Sequence, residues 1–279
     1  MPFRIDKSCV AEWIHERYAF WKIASPRYAG VSDDFWHHLF KAELVQRLVQ
    51  LRALREFVDD PPTTRLIDVG IGEGMFPWLL QRLNFRVTGF GWGGEQSQPE
   101  LEKANPRVDV LSVRYDRERW PLPDASADLV TLWEVLEHVH PPVEHLLSET
   151  LRVLKPGGVL LGSTPNVANL RKRLFLLMGK SIHQGLCCEF SNSDALREYY
   201  ASNPFILHIR EFTSDEVRQL LRWAGFKTIR VFSFHQSIYS RIAELSGPLR
   251  KGMILLYKFA GDVLGVRDIL RLQGRKTAA

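Results

Sequence analysis

Apolar and polar positions change rhythm along the chain. Over residues 36–58, in WHHLFKAELVQRLVQLRALREFV, apolar side chains return every three or four residues, the period of a helix with one buried face. Residues 1–62 therefore predict an N-terminal helical segment. Asp60, Pro61 and Pro62 close it, because proline lacks the amide hydrogen and restricts the residue before it. From residue 63 short apolar runs alternate with helical stretches: RLIDVG, MFPWLLQRL, FRVTGF, ADLVTLWEVLEHV, a helix to Leu154, then GGVLLGSTP. That alternation predicts parallel strands joined by crossover helices: an α/β, Rossmann-like, doubly wound and mostly parallel core over residues 63–234. Residues 166–211 interrupt it and predict a helical cap inserted over the sheet. Thr213 followed by Glu216 predicts a capping box ahead of VRQLLRWAGF, with Gly225 as its stop, and KTIRVFSF reads as the next strand. Beyond Gln236, SIYSRIAELSG and MILLYKFAGDVLGVRDILRL read as helical. Residues 235–279 are thus expected to form a helical tail, with no final strand placed.

Composition changes this picture little. The 279 residues can bury a full core, and 45% apolar with 25% charged residues is ordinary globular usage. Cys9, Cys187 and Cys188 show no metal-ligand spacing, and the start MPFRIDKSCVAEW has no apolar core of signal-peptide length; a cytoplasmic protein is expected. The net charge of +5 resides entirely in residues 235–279. That basic tail is either a solvated face or a peripheral contact with an anionic membrane surface.

Candidate chemistry begins at Leu66-Ile67-Asp68-Val69-Gly70-Ile71-Gly72-Glu73-Gly74, which ends a strand and opens a helix. The glycines let the backbone turn tightly and approach a ligand, and Asp68 stands where a carboxylate meets a ligand's ammonium. A dinucleotide would put its pyrophosphate beside that acid, so D-x-G-x-G-x-G favours a cationic sulfonium amino acid.

The run DVGIGEG, then VLSVRYDRERWPLPDASADLVTLWEVLEHV, then LRVLKPGGVLLGSTPN resembles the class I S-adenosylmethionine-dependent methyltransferases in order, spacing and residue type over residues 64–232. The resemblance implies S-adenosylmethionine as cofactor. Gly70, Ile71 and Gly72 would line its methionine and ribose portion, Asp116 would accept from the adenine amino group, Trp120 would wall the adenine, and the Leu132–Trp133 backbone would meet the amino-acid end. The family's acidic residue after the second strand is missing, since FRVTGFGWGGEQ offers Phe90 and Gly91 there. Glu95 is the expected substitute; without it the cofactor would bind weakly, or the chain would be a non-catalytic methyltransferase fold.

Glu134, Glu137 and His138 stand at i, i+3 and i+4, so a helix starting just after the fourth strand would gather them on one face. Two carboxylates beside an imidazole in a dry pocket call for a neutralising cation, magnesium or, if the imidazoles coordinate, manganese. EVLEHV resembles the metal-bearing block of small-RNA terminal 2′-O-methyltransferases and of ubiquinone-type O-methyltransferases. In the former a histidine ahead of an E-aromatic-T motif completes the site, which implies His208, in His208-Ile209-Arg210-Glu211-Phe212-Thr213, as fourth ligand. The alternative is an LEHV block whose histidine only packs, with His138, His140 or His183 as general base. Glu137 and His138 are the catalytic candidates. TPNVANLRKRLFLLMGKS resembles methyltransferases associated with polysaccharide and glycolipid biosynthesis, implying a small-molecule or glycan hydroxyl as substrate; Arg171, Lys172 and Arg173 are either holders of a phosphate on such a substrate or the wet face of a helix. An RNA 3′ end or a polyprenyl catechol is the runner-up, and nucleic acid is not the expected partner.

Overall fold

The computed structural model describes residues 3–24, 33–72, 74–91, 108–140, 142–182, 208–235, 248–264 and 267–278. Helices α1 (Lys7–Ala24) and α2 (Asp33–Arg55) come first, and a 3₁₀ turn at Pro61–Thr63 delivers the chain into β1 (Arg65–Val69). There follow α3 (Met75–Arg82), β2 (Arg86–Gly91), β3 (Val108–Ser112), β4 (Ala127–Trp133), α4 (Glu144–Val153) and β5 (Leu154–Pro165). Then come α5 (Leu170–Leu177), α6 (Ser214–Trp223), β6 (Lys227–Phe234), α7 (Pro248–Leu264) and β7 (Ile269–Arg275). The strands form one seven-stranded sheet in the order β3-β2-β1-β4-β5-β7-β6, parallel throughout except for β7, which pairs antiparallel with both its neighbours. No helix among the described residues is long and apolar enough to cross a membrane.

The strands are buried on both faces, as parallel sheets are. Leu66, Leu129 and Leu161 pack with Leu51, Leu54 and Leu79 from α2 and α3, while Ile67, Val130 and Leu160 pack with Leu146, Val217 and Leu221 from α4 and α6. Alternation along each strand then puts Asp68, Thr131 and Ser163 on the α2 side of the sheet's carboxyl edge, and Thr164 on the other.

Two expectations need correction, and a third lies partly outside the described residues. The tail is not wholly helical: Ile269–Arg275 forms β7, wedged between β5 and β6. Its alternation is visible in burial, since Leu270 and Leu272 enter the α6-side core while Arg271 and Gln273 turn to the opposite face. In sequence those two polar residues hide a period of two behind a helical one. No α-helix follows β4; Leu136–His138 is a single 3₁₀ turn. Of the expected cap, α5 and the stretch from residue 208 are described, and residues 183–207, with Cys187 and Cys188, lie outside the described residues. The α6 start is as expected: Thr213 Oγ1 accepts from Glu216 N, the Glu216 carboxylate accepts from Thr213 N, and Gly225 ends the helix at φ 99°.

Candidate active site at the carboxyl edge of the sheet

The glycine turn leaves β1 with the Gly70 and Ile71 amides both donating to Phe90 O, at 2.9 and 3.1 Å. Gly70, Gly72 and Gly74 all have positive φ, between 53° and 75°. At Gly70 the restriction is also steric, since a Cβ there would lie 2.7 Å from Val135 Cγ2. A Cβ at Gly72 would meet nothing within 4 Å, so the turn faces open space where a ligand can lie against backbone. Ile71 itself is buried against Gly89 and Gly91, and it contributes backbone, not side chain, to that face.

Asp68 is buried, and its Oδ1 accepts from Thr131 Oγ1 at 2.6 Å. Burial pushes its carboxyl up to about 7, against the opposing effects of the Thr131 bond and the Arg47 charge on α2. Asp116 is also buried, gripped by Arg114 Nε at 3.4 Å and by Arg117 Nη2 at 3.1 Å. Trp120 does not wall a ligand: at 1% exposure it packs edge-on against Phe90, and its Nε1 donates to Tyr115 O, so it belongs to the core. Trp133 is buried beside Phe76, and its Nε1 finds no hydrogen-bond partner. Gly91 ends β2 with ordinary contacts around a notional Cβ, so the site tolerates a side chain there; Glu95 and His183 lie outside the described residues.

The second cluster lies between β4 and β5. Glu137 is fully buried; its Oε2 accepts from Thr164 Oγ1 at 3.0 Å, and its Oε1 has no partner. Burial, reinforced by the Glu134 charge, holds its carboxyl well above the usual carboxylate range. His138 Nε2 lies 3.9 Å from Glu137 Oε1, and the His138 and His208 rings meet edge-on at 5.0 Å. Ligand atoms of Glu137, His138 and His208 all fall within 4.8 Å of one another. The Ile209 and Arg210 amides donate to Glu137 O at 2.7 and 3.3 Å, which is how a residue 70 positions away is brought to the cluster.

Glu134 does not join the other three. It has left-handed backbone, φ 54°, and its Oε1 accepts from Ser163 Oγ. Its carboxyl is pushed up to about 7 by burial, with the Ser163 bond and the Arg47 charge opposing. The expected single helical face fails because the turn starts two residues later. His140 is exposed.

Sequence reasoning missed the groups that orient this cluster. His208 Nδ1 lies 2.9 Å from Glu211 Oε1, and the buried Lys172 ammonium contacts the other Glu211 oxygen. That bond leaves His208 Nε2 for the site. Burial, with His138 and Lys172 nearby, lowers His208 to about 4, so its imidazole is neutral. Lys172 is therefore no phosphate ligand, and Arg173 Nε donates to Ala168 O. Thr131, Ser163 and Thr164 were also missed, although each is a polar residue in a buried strand, a position needing a partner.

The profile of the family described as Methyltransferase domain matches residues 35–231. A Mycolicibacterium smegmatis protein described as a probable S-adenosylmethionine-dependent methyltransferase is 32% identical over 170 residues, 60% of this chain and 54% of that protein. A ubiquinone biosynthesis O-methyltransferase of Paramagnetospirillum magneticum is 35% identical over 101 residues, 36% of this chain and 40% of that one. The chain spans about half the length of the first curated relatives it matches. Among solved structures, a SAM-dependent methyltransferase from Archaeoglobus fulgidus superposes with a TM-score of 0.56 at 15% identity, over 88% of this chain and all of that one. Such a likeness concerns the fold, and it agrees with the Rossmann-like sheet. With the family profile covering most of its length, the chain belongs to the methyltransferase domain family.

Proposed function

We propose that the chain is an S-adenosylmethionine-dependent O-methyltransferase acting on one of two neighbouring hydroxyls of a sugar, glycan or related small molecule, with a divalent cation at Glu137, His138 and His208. The observation that carries it is Glu137. A fully buried carboxylate with one oxygen unpartnered, facing two imidazoles, is costly unless a cation completes it. The donor set fits: one carboxylate oxygen, a neutral His208 and a partly exposed His138, which favours manganese over magnesium. When bound, the cofactor supplies an electrophilic methyl and the cation lowers a hydroxyl's pKa. The chain's own groups do the positioning. Asp68 accepts from the cofactor's ammonium beside the open face of Gly72, Asp116 offers an acceptor for an adenine amino group, and Thr164 fixes the Glu137 carboxylate.

The test is calorimetry with S-adenosylmethionine on the full chain, followed by methyl transfer to vicinal diols before and after chelation. Cofactor binding that Asp68→Ala weakens, together with loss of transfer on chelation and its return with manganese, is expected. No heat in a folded sample would overturn the methyltransferase reading. Transfer that survives chelation would overturn the metal and make His138 the general base. A polyprenyl catechol and an RNA 3′ end present the same pair of hydroxyls. Binding that weakens steeply with salt would select the RNA.

One observation favours a second contact. Leu255, Leu256, Phe259 and Val263 on α7 are all more than half exposed, and Leu177 at the end of α5 more so. The Arg171 amide donates to Tyr257 Oη, joining the two helices into one face. Such a face suits peripheral attachment to a membrane carrying a lipid-linked acceptor. Leu256→Ser with Phe259→Ser should abolish flotation with anionic vesicles; unchanged flotation, or none by the wild type, would remove the reading.

A further inference from the structure

A second cavity, of about 730 Å³, opens on the α2 side of the sheet where β6 and β7 meet α7. Lys7, Lys41, Arg52, Lys258, Arg267 and Arg271 line it, against a single carboxylate, Asp262. Asp262 is shared by Lys258 Nζ at 2.7 Å and Arg267 Nε at 2.6 Å, and Arg271 Nη2 reaches the exposed Glu56 at 3.2 Å. Lys7, Lys41 and Arg52 pair with no carboxylate among the described residues. Within the wall, Arg271 is 9% exposed and its Nε has no hydrogen-bond partner, while the ring nitrogens of the buried His235 face Asp262 Oδ1 at 3.5 Å and Asp268 Oδ2 at 3.6 Å. An excess of cations around a buried guanidinium nitrogen that lacks a partner is what an anion would complete.

Two further features narrow the anion. The cavity is far larger than a single phosphate needs, and Leu44, Val45, Leu48, Phe232 and Phe234 give it an apolar side. It also reaches the edge of the sheet that carries the candidate active site. β6 runs in the same sense as β1, β4 and β5, so Phe234 leaves the sheet at the edge where the glycine turn lies. Asn166, two residues after Thr164, holds the rim in place by donating to Arg267 O and Asp268 O, each at 2.8 Å. On the other wall, Leu44 and Leu48 lie within one turn of Arg47, whose charge acts on Asp68 and Glu134.

We propose that this cavity is a diphosphate site, holding the charged link between an acceptor sugar and its apolar or nucleoside carrier while the sugar lies toward Glu137. The proposal rests on the methyltransferase reading for the direction of the sugar, and on the cavity alone for the diphosphate. It takes over the role that the sequence suggested for Arg171, Lys172 and Arg173, of which Lys172 is engaged with Glu211.

The test titrates the full chain, saturated with S-adenosylhomocysteine, with inorganic pyrophosphate, uridine diphosphate and farnesyl diphosphate. Saturation itself is measured first, so a chain that fails to bind the cofactor product is recognised separately. Pyrophosphate should bind with one-site stoichiometry, more weakly at higher salt. Lys41→Ser with Arg52→Ser, both surface changes, should weaken it by about tenfold. Lys155→Ser at the opposite sheet edge, where Lys155 pairs with Asp128, should leave it unchanged. One of the two carrier diphosphates should bind more tightly than pyrophosphate and identify the carrier. No pyrophosphate binding, equal loss in the Lys155 variant, or no gain from either carrier would overturn the proposal.

Discussion

Two regions along the same edge of the sheet have opposite electrostatic needs. Between β1, β4 and β5, the buried Asp68, Glu134 and Glu137 outnumber the cations that reach them, and all three carboxyls are raised by burial. Between β6, β7 and α2, six cations line a cavity whose one lining carboxylate, Asp262, is shared by Lys258 and Arg267, while Arg271 reaches Glu56. A protein folded without ligands carries such imbalances only at a cost, so each region states what it lacks: the first a cation, the second an anion. In the proposed reading, a sulfonium amino acid and a divalent ion would meet the first need and a diphosphate the second. The regions also differ in construction. The first lies on parallel strand ends and a glycine turn, the second on an antiparallel pair and three helices.

Removing the demand for a cation should have the largest effect. Glu137→Gln keeps the shape and the Thr164 contact but removes the charge, so methyl transfer should fall by about a thousandfold or more. S-Adenosylhomocysteine affinity should stay within about twofold, because the two sites do not share side chains. A variant that keeps its rate would erase the difference between the regions. Next is the backbone of the first region. Gly70→Ala would force a Cβ against Val135 at positive φ, and urea unfolding should show a loss of about 2–3 kcal/mol. Wild-type stability there would mean that the turn can rearrange.

Smaller effects sharpen the comparison. Glu211→Gln should weaken manganese binding by about ten- to hundredfold by loosening the grip on His208 Nδ1, with Lys172→Met acting in the same direction. Manganese affinity unchanged in both would reduce Lys172 and Glu211 to packing. The smallest effect is that of pH on Asp68. Its folded pKa is raised, so between the ordinary carboxyl range and about 7 the folded chain holds a proton the unfolded chain has released, and stability falls as pH rises through that window. An ammonium needs the carboxylate, so cofactor affinity should rise several-fold as pH passes upward through about 7. Asp68→Asn should flatten the profile; a variant that keeps the wild-type slope would assign the titration elsewhere.

The first region was legible because its signals are local. Asp68, Gly70, Gly72 and Gly74 sit in one turn, and Thr213 and Glu216 in another, so spacing alone carries the geometry. His208 was legible through the motif around it, but its partners were not. Lys172 and Glu211 are 39 positions apart, and only the fold makes one charged residue of the basic run a buried positioning group. Glu134 was misplaced because a helical spacing was read where the chain makes a left-handed residue and a 3₁₀ turn. β7 and the basic cavity were invisible for one reason. Arg271 and Gln273 face away from the α6-side core, and a strand whose second face is polar, following an apolar helix, reads as more of that helix.

The proposed divalent cation stands or falls with the cluster of Glu137, His138 and His208. Its most direct test is calorimetric titration of the S-adenosylhomocysteine-loaded full chain with manganese, comparing wild type with His208→Ala. One site in the wild type, lost in the variant while both retain S-adenosylhomocysteine, is the predicted result; no heat in the wild type, or equal binding in both, would contradict it.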